Sequence, residues 1–316
     1  MNCLYMGIDT SNYTTSISFC DQGGQVLVNY KQLLPVKKDQ VGLRQSDACF
    51  AHIKNILGVP QRLLPAGYTV ADIAAIGVST SPTTAEGSYM PCFMVGNSFA
   101  NLLANLLGVP LYTFSHQQGH IMAALYGANA LDLLQGPFLA FHVSGGTTDM
   151  LLVKAKDNQL QIQQIGASLD LKAGQAVDRV GHMLGIPFPA GPQLDQLACK
   201  SKQTFRCRPV IKGLNCCLSG LENQCQKMLN DRQPSEDIAR YCIEFIQQTL
   251  AKMTAAALNQ YGTMPILFAG GVMSNTIIQD SLSKQFGGRF APPVFSSDNA
   301  AGISLLCYRE ASTCHK

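Results

Sequence analysis

Apolar runs of strand length open both halves of the chain, and each is followed by a polar turn and two further strands. Residues 4–9 form an apolar run ending on an acid, 10–14 a polar turn, and 15–20 and 25–32 the returning strands. The same order recurs as a strand over 138–143, a turn over 144–148, and strands over 149–154 and 159–165. The repetition is one of pattern, not of letters, and it predicts two related lobes. Neither opening strand feeds a helix through a Gly-x-Gly-x-x-Gly loop, so a Rossmann dinucleotide site is not expected.

Between these blocks the period lengthens. A helix is predicted over 46–57, with Ala48, Ile53 and Ile56 among its apolar positions, and a strand over 73–79. A second helix over 95–107 would place Phe99, Leu102, Leu103 and Leu106 on one face. A strand over 110–114 and a helix from 116 to 126 follow. The second half predicts helices over 174–184 and 237–261, a strand over 265–268, and a helix starting near 274–275. The tail, 296–308, carries Asp298 at the start of a short helix. The break between lobes is expected near 127–136. This gives a lobe over 1–130, a second over 131–294, and residues 295–316 packing back on the first.

Composition narrows the class. A hydrophobic share of 47% with 14% charged residues describes a compact globular chain with rather few charges and gives no sign of disorder. A net charge of +3 is too small to announce nucleic-acid binding by itself. The 12 cysteines scatter from Cys3 to Cys314 with only Cys216 and Cys217 adjacent, so reduced thiols are expected rather than a zinc ribbon. No charged leader precedes the first strand, and no apolar run is long enough for a membrane helix. A cytoplasmic protein without membrane contact is expected.

Three polar turns, each ending an apolar strand, carry the candidate chemistry. They are Asp9-Thr10-Ser11, Ser144-Gly145-Gly146-Thr147-Thr148 and Gly270-Gly271. Glycine lets a backbone approach a phosphate and aim N–H groups at it, although such turns are often only hairpins. His116 and His120 stand four apart on one helical face, within reach of one metal ion. By spacing alone, incidental histidines at a helix start fit equally well. Gln117 occupies the place of a zincin's glutamate, so no hydrolytic base is present. Asp178 is placed to hold ribose hydroxyls with Gly191 beside the sugar, or else forms a surface pair with Arg179. Lys200, Lys202, Arg206, Arg208 and Lys212 form a basic run with no acid between Gln196 and Leu221. It reads either as a solvated face or as a phosphate contact.

These residues together resemble the TsaD family, tRNA adenosine threonylcarbamoyltransferases formerly called O-sialoglycoprotein endopeptidases. The resemblance runs from Gly7-Ile8-Asp9-Thr10-Ser11 to Asp298-Asn299-Ala300-Ala301. It implies the actin/Hsp70/sugar-kinase (ASKHA) fold, with duplicated RNase H-like domains. It also implies a divalent metal, iron or zinc, on His116, His120 and Asp298. ATP or threonylcarbamoyl-AMP would be held by Asp9, Thr10, Ser11, Val143, Ser144, Gly145, Gly146, Asp178, Gly191, Asp195 and Asn275. The implied partners are tRNA and a related ASKHA-fold subunit.

The departures cluster at the site. The family's Thr-Ser-Cys-Asp-Glu-Thr reads Thr10-Ser11-Asn12-Tyr13-Thr14-Thr15 here, so two carboxylates are absent. Ser-Gly-Gly-His-Thr has become Ser144-Gly145-Gly146-Thr147-Thr148, and a family Glu has become Gln175. The loop 80–91, with Glu86, replaces the family's Gly-Pro-Gly segment. The chain is therefore expected to be a divergent paralogue. The implied activity is threonylcarbamoyl transfer to N6 of adenosine in tRNA, with no catalytic side chain assigned. The alternatives are a changed acceptor, or a nucleotide-binding regulatory subunit without turnover.

Overall fold

The first strand, β1 (Leu4–Ser11), is buried along its whole length; its first five residues read as an apolar run, and its buried polar end is Asp9, Thr10 and Ser11. The computed structural model describes residues 3–11, 13–35, 43–156 and 159–313. β1 turns back into β2 (Thr14–Asp21) and then β3 (Val26–Leu33). Thr10, Ser11 and Thr14 are thus strand residues, not turn residues, and Asn12 lies outside the described residues. After α1 (Gln45–Leu57) come β4 (Ile73–Ser81), α2 (Cys92–Leu107), β5 (Leu111–Ser115) and α3 (His116–Gly127). These strands make a sheet of order β3-β2-β1-β4-β5, antiparallel on the hairpin side and parallel from β1 through β5.

The chain continues as β6 (Phe138–Val143), β7 (Thr148–Lys156), β8 (Gln159–Ala167), α4 (Ala173–Met183) and α5 (Gly191–Ala198). A short hairpin, β9 (Val210–Lys212) and β10 (Asn215–Cys217), leads into α6 (Ser219–Asn230) and α7 (Ser235–Tyr261). β11 (Ile266–Ala269), α8 (Thr276–Phe286), β12 (Arg289–Phe290), α9 (Pro293–Ser296) and α10 (Ala301–Thr313) complete it. The second sheet has the order β12-β11-β6-β7-β8. β6 pairs antiparallel with β7 and parallel with β11. Both sheets therefore share one plan: the first strand is central, with the next two strands of the chain on one side of it and two parallel strands on the other. That is a duplicated topology.

Two compact units result, Met1–Gly127 with Lys156–Leu160 and Val294–Lys316, and Ala128–Ala155 with Gln161–Pro293. The first unit buries Leu4, Met6, Ile8, Phe19, Ile76 and Val78 against Ala100 and Ala104 of α2. In the second, Phe141, Phe268 and Phe290 stack across three neighbouring strands at 5.1 and 4.8 Å.

Two helices bury faces other than those their apolar residues indicate. α2 turns Cys92, Phe93, Gly96, Ala100 and Ala104 inward, while Leu102 is 57% and Leu106 74% exposed. Space selects that face. The side chains of Thr10 and Ile8 stand where a Cβ on Gly96 would lie, so only small residues fit there. α1 buries Ala48, His52 and Asn55 and leaves Ile53 exposed. His52 Nδ1 and Asn55 Nδ2 lie 2.8 and 3.0 Å from Thr15 Oγ1, so these inward polar groups satisfy one another.

α10 packs on β1 and on α3. Its Gly302 crosses Gly119 so closely that a Cβ at position 302 would overlap the Gly119 carbonyl, a contact open only to glycine. Asp298 does not start this helix; it lies in the bend between α9 and α10. No helix among the described residues is long and apolar enough to cross a membrane. All 11 cysteines among them are unpaired.

Candidate functional site

α3 begins at His116 directly after β5, which aims its first turn at the end of the sheet. One turn later comes His120, and the two imidazoles lie edge to face with centroids 4.3 Å apart. Asp298 Oδ1 sits 3.7 Å from His116 Nε2 and 3.3 Å from His120 Nε2. One donor atom from each of the three residues falls within 4.8 Å of the others. Two imidazoles and a carboxylate suit zinc or ferrous iron, and three protein donors leave coordination positions for another ligand.

The surrounding residues orient this set. Asp9, fully buried, holds His116 Nδ1 at 2.7 Å. An ionised carboxylate only accepts, so Nδ1 carries the proton and Nε2 faces Asp298. Burial alone would raise the Asp9 pKa, but the charge and hydrogen bond of His116 outweigh it and hold it below the usual range. Burial alone would lower the pKa of His116; Asp9, with help from Asp298, overcomes it and pushes the imidazole up to about 9. Thr14 Oγ1 donates to Asp298 Oδ2 at 3.3 Å, leaving Oδ1 toward the histidines. Lys31 Nζ donates to Val294 O and Ser297 Oγ, both at 3.0 Å, and so ties β3 to the segment that ends on Asp298.

The side chains of Asp9 and Thr10, two residues expected at the nucleotide, make hydrogen bonds within the first unit. Asp9 accepts from His116 and from Ser11 N at 2.8 Å. Thr10 Oγ1 donates to Cys92 O at 2.9 Å and accepts from Gly96 N at 3.0 Å, fixing the start of α2. Ser11 Oγ is buried and has no partner among the described residues. Glu86 is exposed in the loop after β4.

The second unit contains a cavity of about 530 Å³, within the range of small-molecule sites. Gly145, Asp178, Gly191, Asp195 and Asn275 line it. Three helices begin on its wall. Gly174 is in the first turn of α4, Gly191 opens α5, and Asn275 caps α8 by accepting from Ile278 N. Unpaired N–H groups and helix dipoles at such ends favour an anion. Asn275 Nδ2 also donates to Asp195 Oδ1 at 2.8 Å. Asp178 accepts from Ala190 N at 3.0 Å, steadying the approach to Gly191; Arg179 pairs instead with Glu222, so the expected Asp178–Arg179 surface pair is not formed.

Val143, Ser144 and Gly146 do not line this cavity; Val143 is buried and Gly146 is exposed. Ser144 Oγ accepts from Gly146 N and Thr147 N at 3.3 and 3.2 Å, closing the turn and leaving Gly145 exposed. Gly270 has φ +100° and lies against the Val143 carbonyl, where a Cβ would overlap. Sequence reasoning missed the roles of Thr14 and Lys31. Strand alternation was the available signal, since Ser16 pairs with both Asp9 and Lys31 and so sets them in one row across the sheet, one on either side of Ser16.

Residues 33–305 match the family model of TsaD, tRNA N6-adenosine threonylcarbamoyltransferase. The enzyme of that name from Thermosipho africanus (strain TCF52B) is 31% identical over 322 residues, covering 97% of this chain and 94% of its own. That of Ralstonia pickettii (strain 12J) is 33% identical over 323 residues, covering 96% and 90%. Component A of (R)-2-hydroxyglutaryl-CoA dehydratase from Acidaminococcus fermentans superposes with a TM-score of 0.55 at 16% identity, over 99% of each chain. A ROK family protein from Streptococcus pneumoniae TIGR4 gives 0.52 at 11% identity, over 100% and 99%. The structural likenesses establish the ASKHA fold alone. The sequence matches go further: this chain belongs to the TsaD family.

Proposed function

We propose that the chain transfers a threonylcarbamoyl group from threonylcarbamoyl-AMP to N6 of adenosine in tRNA. The observation that carries this reading is the His116–His120–Asp298 cluster, kept with its supporting carboxylate Asp9 in a family member that has lost other site residues. A divalent metal bound there supplies Lewis-acid polarisation of the carbamoyl group. Asp9 holds the proton on His116 Nδ1, and Thr14 holds one oxygen of Asp298. In the second unit, amides of the Gly145 turn and the helix starts take the phosphate, and Asp178 and Asn275 take the nucleoside hydroxyls.

A second reading keeps the donor and changes the acceptor. It is favoured by Thr14 standing where the family has a glutamate, with a hydroxyl that donates to Asp298. The deciding experiment supplies ATP, threonine, bicarbonate, an adenylate-forming synthase, an ASKHA-fold partner subunit and unmodified tRNA. Modified adenosine that disappears in His116→Ala and His120→Ala supports the first reading. Metal and nucleotide binding without modified tRNA would sink it and leave another acceptor or a regulatory role.

A further inference from the structure

The segment from the end of α5 to β9 carries the basic run, whose last member, Lys212, ends β9, and the side chains of the segment sort cleanly by side. Cys207 and Pro209 are buried, while Arg206 and Arg208 are exposed. The Arg206 and Arg208 side chains therefore leave the same side of the segment, from Cα atoms roughly 6–7 Å apart at about 3.3 Å per residue. Lys200, Lys202 and Lys212 are exposed as well. Among the described residues, no hydrogen bond or ion pair engages any of these five side chains. Elsewhere in the same unit Arg179, Arg240 and Arg289 are paired with Glu222, Glu244 and Asp132.

The segment is held stiffly although it joins no sheet. Phe205 N donates to Glu244 Oε2 at 2.6 Å, and Gln248 clamps Phe205 O and Cys207 N at 2.7 and 3.0 Å. It thus runs along α7 from Glu244 to Gln248. One turn further on, α7 presents the exposed Lys252. The carboxylates beneath are already engaged, Asp237 by Ser201 and Glu244 by Arg240 and Phe205 N.

We infer that this strip docks the phosphate backbone of an RNA, an inference that rests on tRNA being the acceptor. The charge is strung along a rigid, extended track, which matches a linear polyanion. A membrane surface would call for an apolar face beside the cations, and among the outward residues of the track only Val210 is a large exposed apolar one. Contacts of this kind position the polymer without reading its sequence.

The test is fluorescence anisotropy of a labelled, unmodified tRNA transcript against the full chain, from 50 to 200 mM salt. Replacing Arg206 and Arg208 together by Gln should flatten the slope of log K against log salt by about 2 and weaken binding on the order of tenfold. Arg206→Lys with Arg208→Lys should retain the slope. Lys227→Gln with Lys284→Gln removes the same charge from α6 and α8 and should leave it unchanged. A wild-type chain that binds no tRNA overturns this inference together with the acceptor reading. Wild-type binding with an unaltered slope in the Arg→Gln pair overturns the strip alone, as does an equal loss in the lysine control.

Discussion

Asp9 reaches across from the centre of the first sheet to hold His116 Nδ1 at 2.7 Å, so a strand carboxylate sets the direction of a helix imidazole. Replacing Asp9 by Asn removes the charge that fixes the Nδ1 proton. Metal affinity should fall about 10- to 100-fold, as for other carboxylate–histidine supports. Competition for Zn²⁺ against a chromophoric chelator reads this directly. Equal affinity in Asp9→Asn would show that His116 needs no orienting partner.

Asn275 serves both α8 and the cavity. Asn275→Ala removes the helix cap, at about 1 kcal/mol, and leaves Asp195 without its 2.8 Å partner. The melting temperature should drop by about 2–4 °C, and binding of a fluorescent adenine nucleotide should weaken in the same sample. A lowered melting point with unchanged nucleotide affinity would move the nucleotide out of this cavity.

Asp170 gives the second unit an acid-sensitive joint. Burial raises its pKa, but the hydroxyl of Ser219 and the amides of Leu218, Leu171 and Ser219 prevail and bring it down to about 2 from 3.8. A depressed carboxylate stabilises the fold above its unfolded value and loses that contribution as pH falls toward the folded one. Asp170→Asn should therefore unfold more easily than wild type at pH 7, and the gap should close as pH approaches about 2. Denaturant titrations across that range measure it; a gap that persists in acid contradicts the assignment.

How far the sequence could be read depended on whether one residue or a neighbour decided the outcome. The strands were legible because β1 opens on five apolar or glycine residues and β6 is apolar but for His142, and the His116–His120 spacing marked one helical face without outside help. Helix faces were less legible. Leu102 and Leu106 look inward by period, yet Gly96, Ala100 and Ala104 face the sheet because Thr10 and Ile8 leave no room for more. His52 and Asn55 look outward by polarity, yet they pair with Thr15. Asp9 was recognisable as a site residue, but its partner lies 107 positions away, and nothing local separates an acid that holds a histidine from one that faces a nucleotide.

The crossing of Gly302 over Gly119 separates frame from donors in the proposed metal centre. α3 supplies both histidines, and the bend before α10 supplies the aspartate, so the main-chain contact between these helices sets how far apart the donors stand. The gathering of the three groups is completed when the first unit folds, so that the proposed ion would meet a preorganised set of donors. Donor chemistry can then change at a single position, His120 for instance, while the frame stays where it is. Metal preference in this scaffold becomes a property of three side chains, open to revision one residue at a time.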